Sequence, residues 1–297
     1  MNPTVSICIP TYNGEAYLAE ALDSALAQTY PNLEIVVSDD ASTDTTLEIV
    51  EKYQDKTSIP IHVFHHEPNG IGANWNNCIK QAQGEYIKFL FQDDVLEPTC
   101  VERMVGILDS QKVGLVGCKR EFIMSFENES SELQEWMETF GDLQKSIRYY
   151  KRNNENAMVL NKRLFKSPMF LKSPLNKIGE PSVILFKRSL IEKTGGYRED
   201  FKQILDYEFY YRVLKNKGNI AIYKKALVNF RLHENQATNI NKKNGFSDYV
   251  LMDKLLYKKY FWLLNRKDKI NLLKKYNVLF KILLSIKRKI KLKLYTL

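Results

Sequence analysis

The 297-residue chain has only four cysteines, Cys8, Cys78, Cys100 and Cys118, and no CxxC pair. Cys8 stands inside an apolar, strand-like run, where a small thiol is ordinarily buried. The set therefore points to a reducing compartment and away from a zinc site. No charged leader or long apolar segment precedes Val5-Ser6-Ile7-Cys8-Ile9-Pro10, so no signal peptide is expected. No stretch approaches the roughly 20 apolar residues of a membrane-spanning helix, and a cytoplasmic location is expected. Also missing are a GxGxxG after the first strand and a GxxxxGK(S/T) anywhere, which excludes the dinucleotide and P-loop cradles for phosphate. The body of the chain lacks excess positive charge as well. The net charge is +9, yet 14 basic residues against one acid, Asp268, fall from Lys254 onward. The remainder carries 30 basic and 34 acidic residues, a net −4. A nucleic-acid partner needs basic residues on the functional face itself, so none is expected.

Apolar residues make up 44% of the chain, enough for a sizeable core. Up to residue 118, apolar β-rich runs alternate with helical patterns. The runs are Val5–Ile9, Leu33–Val37, Ile61–Phe64, Tyr86–Phe91 and Val113–Val116. Between the first two, Tyr17, Leu18, Ala21, Leu22, Ala25 and Leu26 repeat at the spacing of one buried helical face. Near-continuous apolar strands separated by helices predict an α/β fold with a mainly parallel central sheet. The chain divides accordingly into residues 1–118, residues 119–235 and a basic helical extension over 236–297. Residues 119–178 are polar and weakly periodic, and read as an irregular helical insertion. Beyond them a strand-like Ser182–Phe186, a Gly195-Gly196 turn, a helix from about Asp206, and short strands at Ile220–Tyr223 and Leu227–Phe230 are expected.

Ligands of such sheets bind at the carboxyl ends of the strands. The second strand ends in Ser38-Asp39-Asp40-Ala41-Ser42-Thr43-Asp44, and the fourth in Gln92-Asp93-Asp94. Asp44 reads as a cap for the next helix. Two adjacent acids after an apolar strand repel each other unless a cation or several donors offset them. Hard divalent cations bridge such carboxylates to substrate phosphates, so Asp93-Asp94 points to a metal–diphosphate site. Asp206 opens a helix whose apolar face is Phe209, Tyr210, Val213 and Leu214, and the helix dipole there favours an anion.

Taken in order, Val5–Asn13, Val36–Asp44 and Gly84–Asp94 resemble the successive hallmarks of family-2 glycosyltransferases with the GT-A fold. The likeness continues at Gly179-Glu180-Pro181-Ser182, Gly195-Gly196-Tyr197 and Asp206-Tyr207-Glu208-Phe209, and covers about residues 3–235. It implies a nucleotide-sugar donor, with UDP the family-level expectation, Mn²⁺ or Mg²⁺ as cofactor, and inversion at the anomeric carbon. It implies that Pro10, Thr11, Tyr12 and Asp40 hold base and ribose, and that Asp94 binds the metal. Asp93 would contact ribose or a metal-bound water, and Asp206 would be the catalytic base. His233, in Arg231-Leu232-His233, is implied at the diphosphate or metal, while Arg231 could serve phosphate or a carboxylate of the body. Asn74 is a polar contact for the donor, and Glu180, Pro181 and Ser182 lie on the acceptor side. Trp75 stands where the family commonly has Arg, which removes a cation from the donor site and leaves an aromatic for the core or the nucleotide. The Gln-x-x-Arg-Trp signature of processive members is missing, so one sugar is added per encounter.

At the other end, Leu272, Tyr276, Leu279, Leu283, Ile286 and Ile290 repeat at 4,3,4,3,4 spacing among basic residues. That stripe suits an anionic membrane surface, the body of the protein or a second subunit. A peripheral position at the membrane accords with a glycan or lipid-linked acceptor, as in bacterial surface polysaccharide synthesis. Two other functions are compatible with a parallel sheet carrying carboxylates. A sugar nucleotidyltransferase would need a basic Gly-rich loop after the first strand, where Thr11-Tyr12-Asn13-Gly14-Glu15 stands instead. A non-catalytic carbohydrate or membrane binder would have no use for Asp40, Asp93, Asp94 and Asp206 together.

Overall fold

The computed structural model describes residues 2–124, 131–147, 151–152, 156–234, 236 and 248–295. It forms one sheet of ten strands flanked by helices. In chain order the elements are β1 (Val5–Thr11), α1 (Leu18–Leu26), β2 (Leu33–Asp39), α2 (Thr46–Gln54), β3 (Ile61–His65), α3 (Ile71–Gln81), β4 (Tyr86–Phe89), β5 (Val95–Leu96), α4 (Cys100–Ser110), β6 (Leu115–Met124) and α5 (Ser131–Phe140). They continue with β7 (Lys151–Arg152), β8 (Ala157–Leu160), β9 (Ile184–Lys187), α6 (Ser189–Thr194), α7 (Leu205–Lys215), β10 (Ile220–Leu232), α8 (Tyr249–Leu255), α9 (Arg266–Tyr276) and α10 (Val278–Tyr295). The strand order is β3-β2-β1-β4-β9-β6-β10-β8-β7, with β5 against β10.

β1 and β2 are buried along their whole length, as strands covered on both faces are, and their mainly apolar sequences admit polar residues such as Ser6 and Glu34 that hydrogen-bond to each other. The first half of the sheet, β3-β2-β1-β4, is parallel throughout. β9 then enters antiparallel between β4 and β6, and β6 pairs parallel with β10. The sheet is therefore mixed, with the longest ladders parallel. Register matters for function at two places. β1 pairs with β2 so that Thr11 lies opposite Asp39, both at carboxyl ends. β5 pairs antiparallel with β10 through Val95 and Asn229, which brings Asp93-Asp94 beside Arg231.

Three expectations change. The two short strands at Ile220–Tyr223 and Leu227–Phe230 are one long β10, whose pairing with β6 shifts register between Ile222 and Val228. Bulges of this kind let a strand bend without ending, and the polar Lys224-Lys225 mimicked a turn in the sequence. The division at residue 118 falls inside β6, which runs on to Met124. The stretch 119–178 holds a helix, α5, but also β7 and β8, which extend the sheet beyond β10.

Gly84, just before β4, sits where a Cβ would lie 2.8 Å from both the Thr4 carbonyl oxygen and the Ser6 nitrogen. Backbone on both sides leaves nothing to rotate away. Gly84→Ala is expected to lower stability by about 1–3 kcal/mol, read as a fall in the calorimetric unfolding midpoint. An unchanged midpoint would show that β1 and β4 approach more loosely than described.

Candidate active site

At the carboxyl ends of β1 and β2, Thr11 Oγ1 donates to Asp39 Oδ1 at 2.7 Å. Asp39 also accepts from the Ser42 N–H at 2.9 Å and from Ser42 Oγ at 2.6 Å. Wholly buried and fully engaged, Asp39 holds the turn. Its neighbour Asp40 is left at the cavity, paired with His66 Nδ1 at 2.8 Å. Asp44 caps two segments at once, accepting from the Thr46 N–H at 3.0 Å and the Glu15 N–H at 3.1 Å. Burial alone would raise its carboxyl, but those hydrogen bonds outweigh it and hold the group below the usual range. Gln92 fixes the turn after β1, accepting from the Tyr12 N–H at 2.9 Å and donating to the Tyr12 carbonyl at 3.0 Å. Gly14 makes that possible, because a Cβ there would come within 2.4 Å of Gln92 Oε1. Pro10, Thr11, Tyr12, Asp40, Asn74, Asp93 and His233, the seven residues expected to touch the donor, all line one cavity of about 260 Å³. Trp75 lines it too, with its ring against Phe91 and Tyr197.

The adjacent acids Asp93 and Asp94 have different surroundings. Asp93 faces the cavity, and its Oδ2 lies 3.0 Å from His233 Nε2. Asp94 is wholly buried, its Oδ1 accepting from the Arg231 N–H at 3.1 Å. Burial and then the charge of Asp93 push its carboxyl well above the ordinary value, opposed by the Ser182 hydroxyl and the Arg231 N–H beside it. Its Oδ2 is buried without a well-aligned hydrogen bond among the described residues. So Asp93 is the member of the pair that lines the cavity, whereas the family resemblance implied Asp94 as the metal ligand. The arrangement suits a divalent cation. Asp93 and His233 line the cavity with Asp94 buried behind them, and because the described residues hold no cluster of three or more metal-binding side chains, substrate phosphates would have to complete the coordination. Arg231 is committed to the body: Nε donates to the Asp93 carbonyl at 2.9 Å and Nη2 to Glu20 at 2.7 Å.

A second cavity of about 140 Å³ runs from Asp93 past Glu180 and Pro181 to Asp206. It leads to a third, of about 740 Å³, where Trp136, Phe140, Phe230 and Tyr207 surround Asp206, Glu180 and Asn176. Asp206 lies in the first turn of α7, and Asn176 Nδ2 donates to its Oδ2 at 2.6 Å. Desolvation is the main influence on this carboxyl. The hydrogen bond from the Tyr207 N–H opposes it, the charge of Glu180 adds to it, and the outcome is a carboxyl raised to about 7. Glu180 itself pairs with Arg120 Nε at 3.1 Å, and the Arg120 guanidinium lies 5.1 Å from the Phe122 ring centre and 5.7 Å from that of Phe230. Ser182, expected on the acceptor side, is instead wholly buried: its Oγ accepts from the Phe91 N–H at 3.0 Å and its carbonyl from Lys88. It braces the floor under Asp94. Asn76, two residues beyond Asn74, hooks the Tyr197 backbone.

The sequence did not flag His66, Gln92, Asn176 or Arg120. Each acts through a partner far away in the chain, and no local spacing marks such a residue.

An acid whose carboxyl is raised on folding opposes folding when ionised. Below pH ~4 Asp206 is protonated in both states and has no effect. As pH rises toward about 7 its penalty grows, and above that it stays constant. The full shift would amount to about 4 kcal/mol, which water in the cavity reduces to about 1–2 kcal/mol. Asp206→Asn should therefore unfold at a higher temperature than wild type at pH 8, with the gap closing toward pH 4. Equal midpoints at pH 8 would mean that Asp206 is well hydrated.

The profile of Glycosyl transferase family 2 matches residues 6–195. An uncharacterized glycosyltransferase of Rickettsia typhi is 32% identical over 240 residues, which span 80% of this chain and 67% of that protein. Poly(ribitol-phosphate) β-N-acetylglucosaminyltransferase TarS of Staphylococcus aureus is 38% identical over 106 residues, covering 35% of this chain and 18% of TarS. The crystal structure of TarS residues 1–349 in complex with UDP-GlcNAc superposes with a TM-score of 0.61 at 21% identity, covering 92% of this chain and 80% of that one. The mannosyltransferase PcManGT of Pyrobaculum calidifontis, in complex with GDP-Man and Mn²⁺, gives a TM-score of 0.55 at 18% identity over 98% of this chain and 81% of that one. With the family's profile covering residues 6–195, well over half of its length, the chain belongs to glycosyltransferase family 2 and is a glycosyltransferase, and the superposed structures give it the GT-A fold.

Proposed function

We propose that the enzyme moves a sugar, with inversion, from a UDP-sugar to a hydroxyl of a glycan or lipid-linked acceptor, with Mn²⁺ or Mg²⁺ at the donor. One observation carries this reading: adjoining cavities that share Asp93, Glu180 and Asp206 as walls link the donor-side residues to a carboxyl raised to about 7. Asp40 and the backbone of Pro10–Tyr12 hold the base and ribose. Asp93 and His233, with Oδ2 of Asp94 behind them, hold the cation. When bound, that cation neutralises charge on the departing nucleoside diphosphate. Asp206, desolvated and steadied by Asn176, accepts the proton of the acceptor hydroxyl as that oxygen attacks the anomeric carbon. The large cavity takes the acceptor, with Trp136, Phe140 and Phe230 as apolar faces for sugar rings. Glu180, held by Arg120, and Pro181 stand where donor and acceptor meet. The UDP-GlcNAc of TarS and the GDP-Man and Mn²⁺ of PcManGT support donor and metal by analogy. Membership of a glycosyltransferase family sets the nucleotidyltransferase alternative aside.

Nucleotide release from UDP-, GDP- and dTDP-sugars, with Mn²⁺ or Mg²⁺, tests this directly. One donor should be turned over with metal and should raise the unfolding midpoint in the same samples. Asp93→Ala and His233→Ala should lose that metal-dependent protection. Asp206→Asn should keep it while turnover falls at least about 100-fold. No nucleotide binding with either metal would overturn the donor site, and full turnover in Asp206→Asn would overturn the base.

The pH profile follows with a definite sign. A base must be unprotonated, so turnover should fall about tenfold per unit of pH below about 7 and level off above it. A flat profile from pH 5 to 8 would remove Asp206 from proton transfer.

A further inference from the structure

The apolar stripe of the C-terminal segment is divided between two helices that use it differently. On α9, Leu272 is buried, and the Tyr276 ring lies 5.5 Å from that of Tyr257. Asn277 then breaks the helix, and its side chain accepts from the Phe280 N–H at 2.9 Å to start α10. Beyond that break the stripe turns outward. Val278, Leu279, Ile282, Leu283 and Ile286 are between 49% and 72% exposed. At 3.6 residues per turn these five positions share an arc of about 140° on one side of the helix. Lys281 and Lys287, both exposed, fall on either flank of that arc.

We infer that α10 docks the enzyme on an anionic lipid bilayer, with the apolar arc lying in the headgroup–acyl boundary and the flanking lysines against acidic headgroups. Two features decide for a bilayer. From Lys254 onward the net charge is +13, so a second copy of the same segment is repelled while an acidic surface is attracted. A nucleic acid would use the cations but leave the apolar arc in water, whereas a bilayer takes both. None of the described helices is long and apolar enough to cross a membrane, so α10 lies on the surface. This inference stands on α10 alone and not on the donor chemistry.

The test is sedimentation of the full chain with phosphatidylcholine vesicles, with and without phosphatidylglycerol, compared with Leu279→Ser/Leu283→Ser and Lys281→Glu/Lys287→Glu. Wild type should bind anionic vesicles at least about tenfold more tightly than neutral ones. The serine variant, with unchanged charge, should lose about as much, and the glutamate variant should bind poorly. Because these side chains are exposed, both variants should keep the wild-type unfolding midpoint. The inference fails if wild type ignores anionic vesicles, or if the serine variant binds them as well as wild type. It also fails if light scattering shows a wild-type dimer that the serine variant abolishes, which would give the arc to a second copy.

Discussion

The way Arg231 is shared holds the site together. Asp93 and Asp94 stand side by side at the end of an apolar strand, and two carboxylates there cannot both be tolerated without donors. Arg231 gives its backbone N–H to Asp94, its Nε to the Asp93 carbonyl and its Nη2 to Glu20, with the guanidinium 4.5 Å from the Tyr17 ring centre. It can reach all of these because β5 pairs with β10, so the ends of two strands far apart in sequence meet. The price is that this cation is occupied by the protein. The donor cavity is left with Asp40 and Asp93 facing any incoming diphosphate. Those acids repel a polyanion, and in the proposed chemistry a divalent cation reverses that sign.

Along the chain of cavities, carboxylates are tuned by surroundings rather than by type. Asp39 is saturated by Thr11 and Ser42 and holds a turn. Asp94 is buried until only its unsatisfied Oδ2 remains to be answered. Asp206 lies among Trp136, Phe230 and Tyr207, where desolvation outweighs the hydrogen bonds from Asn176 and the helix N-terminus. The aromatic side chains that could receive a sugar ring line the same cavity as this carboxyl. In the proposed chemistry, an acceptor that filled the cavity would remove further water from Asp206 and strengthen that effect of desolvation.

Most of the donor wall was legible in the sequence because it obeys local rules. Its strands are mainly apolar runs, and the acids on the donor side, Asp40 and Asp93, follow the ends of two of them. The family resemblance adds Pro10, Thr11, Tyr12, Asn74 and His233, and all seven line one cavity. What stayed hidden depends on pairings between distant segments. Nothing near Ser182 announces that it lies under Asp94, since that requires β9 to insert antiparallel beside β4. Nothing near Asn176 or Arg120 ties them to Asp206 or Glu180. The two expected strands of β10 were misjudged for a related reason. Lys224-Lys225 reads as a turn, yet a bulge absorbs it because β6 pairs with β10 both before and after it.

The C-terminal stripe shows how periodicity can be right and still mislead. A 4,3,4,3,4 repeat names the apolar face of a helix but not the direction in which that face points. The direction is set by Asn277, whose β-region backbone and capping side chain end one helix and start the next. Up to Tyr276 the face packs on the body, where Lys275 also pairs with Asp253. After it, the same repeat faces outward with its lysines. The break preserves an unneutralised, amphipathic face at the cost of leaving five large apolar side chains in water. A face of that composition on a chain with an otherwise well-filled core is a feature of binding rather than of folding.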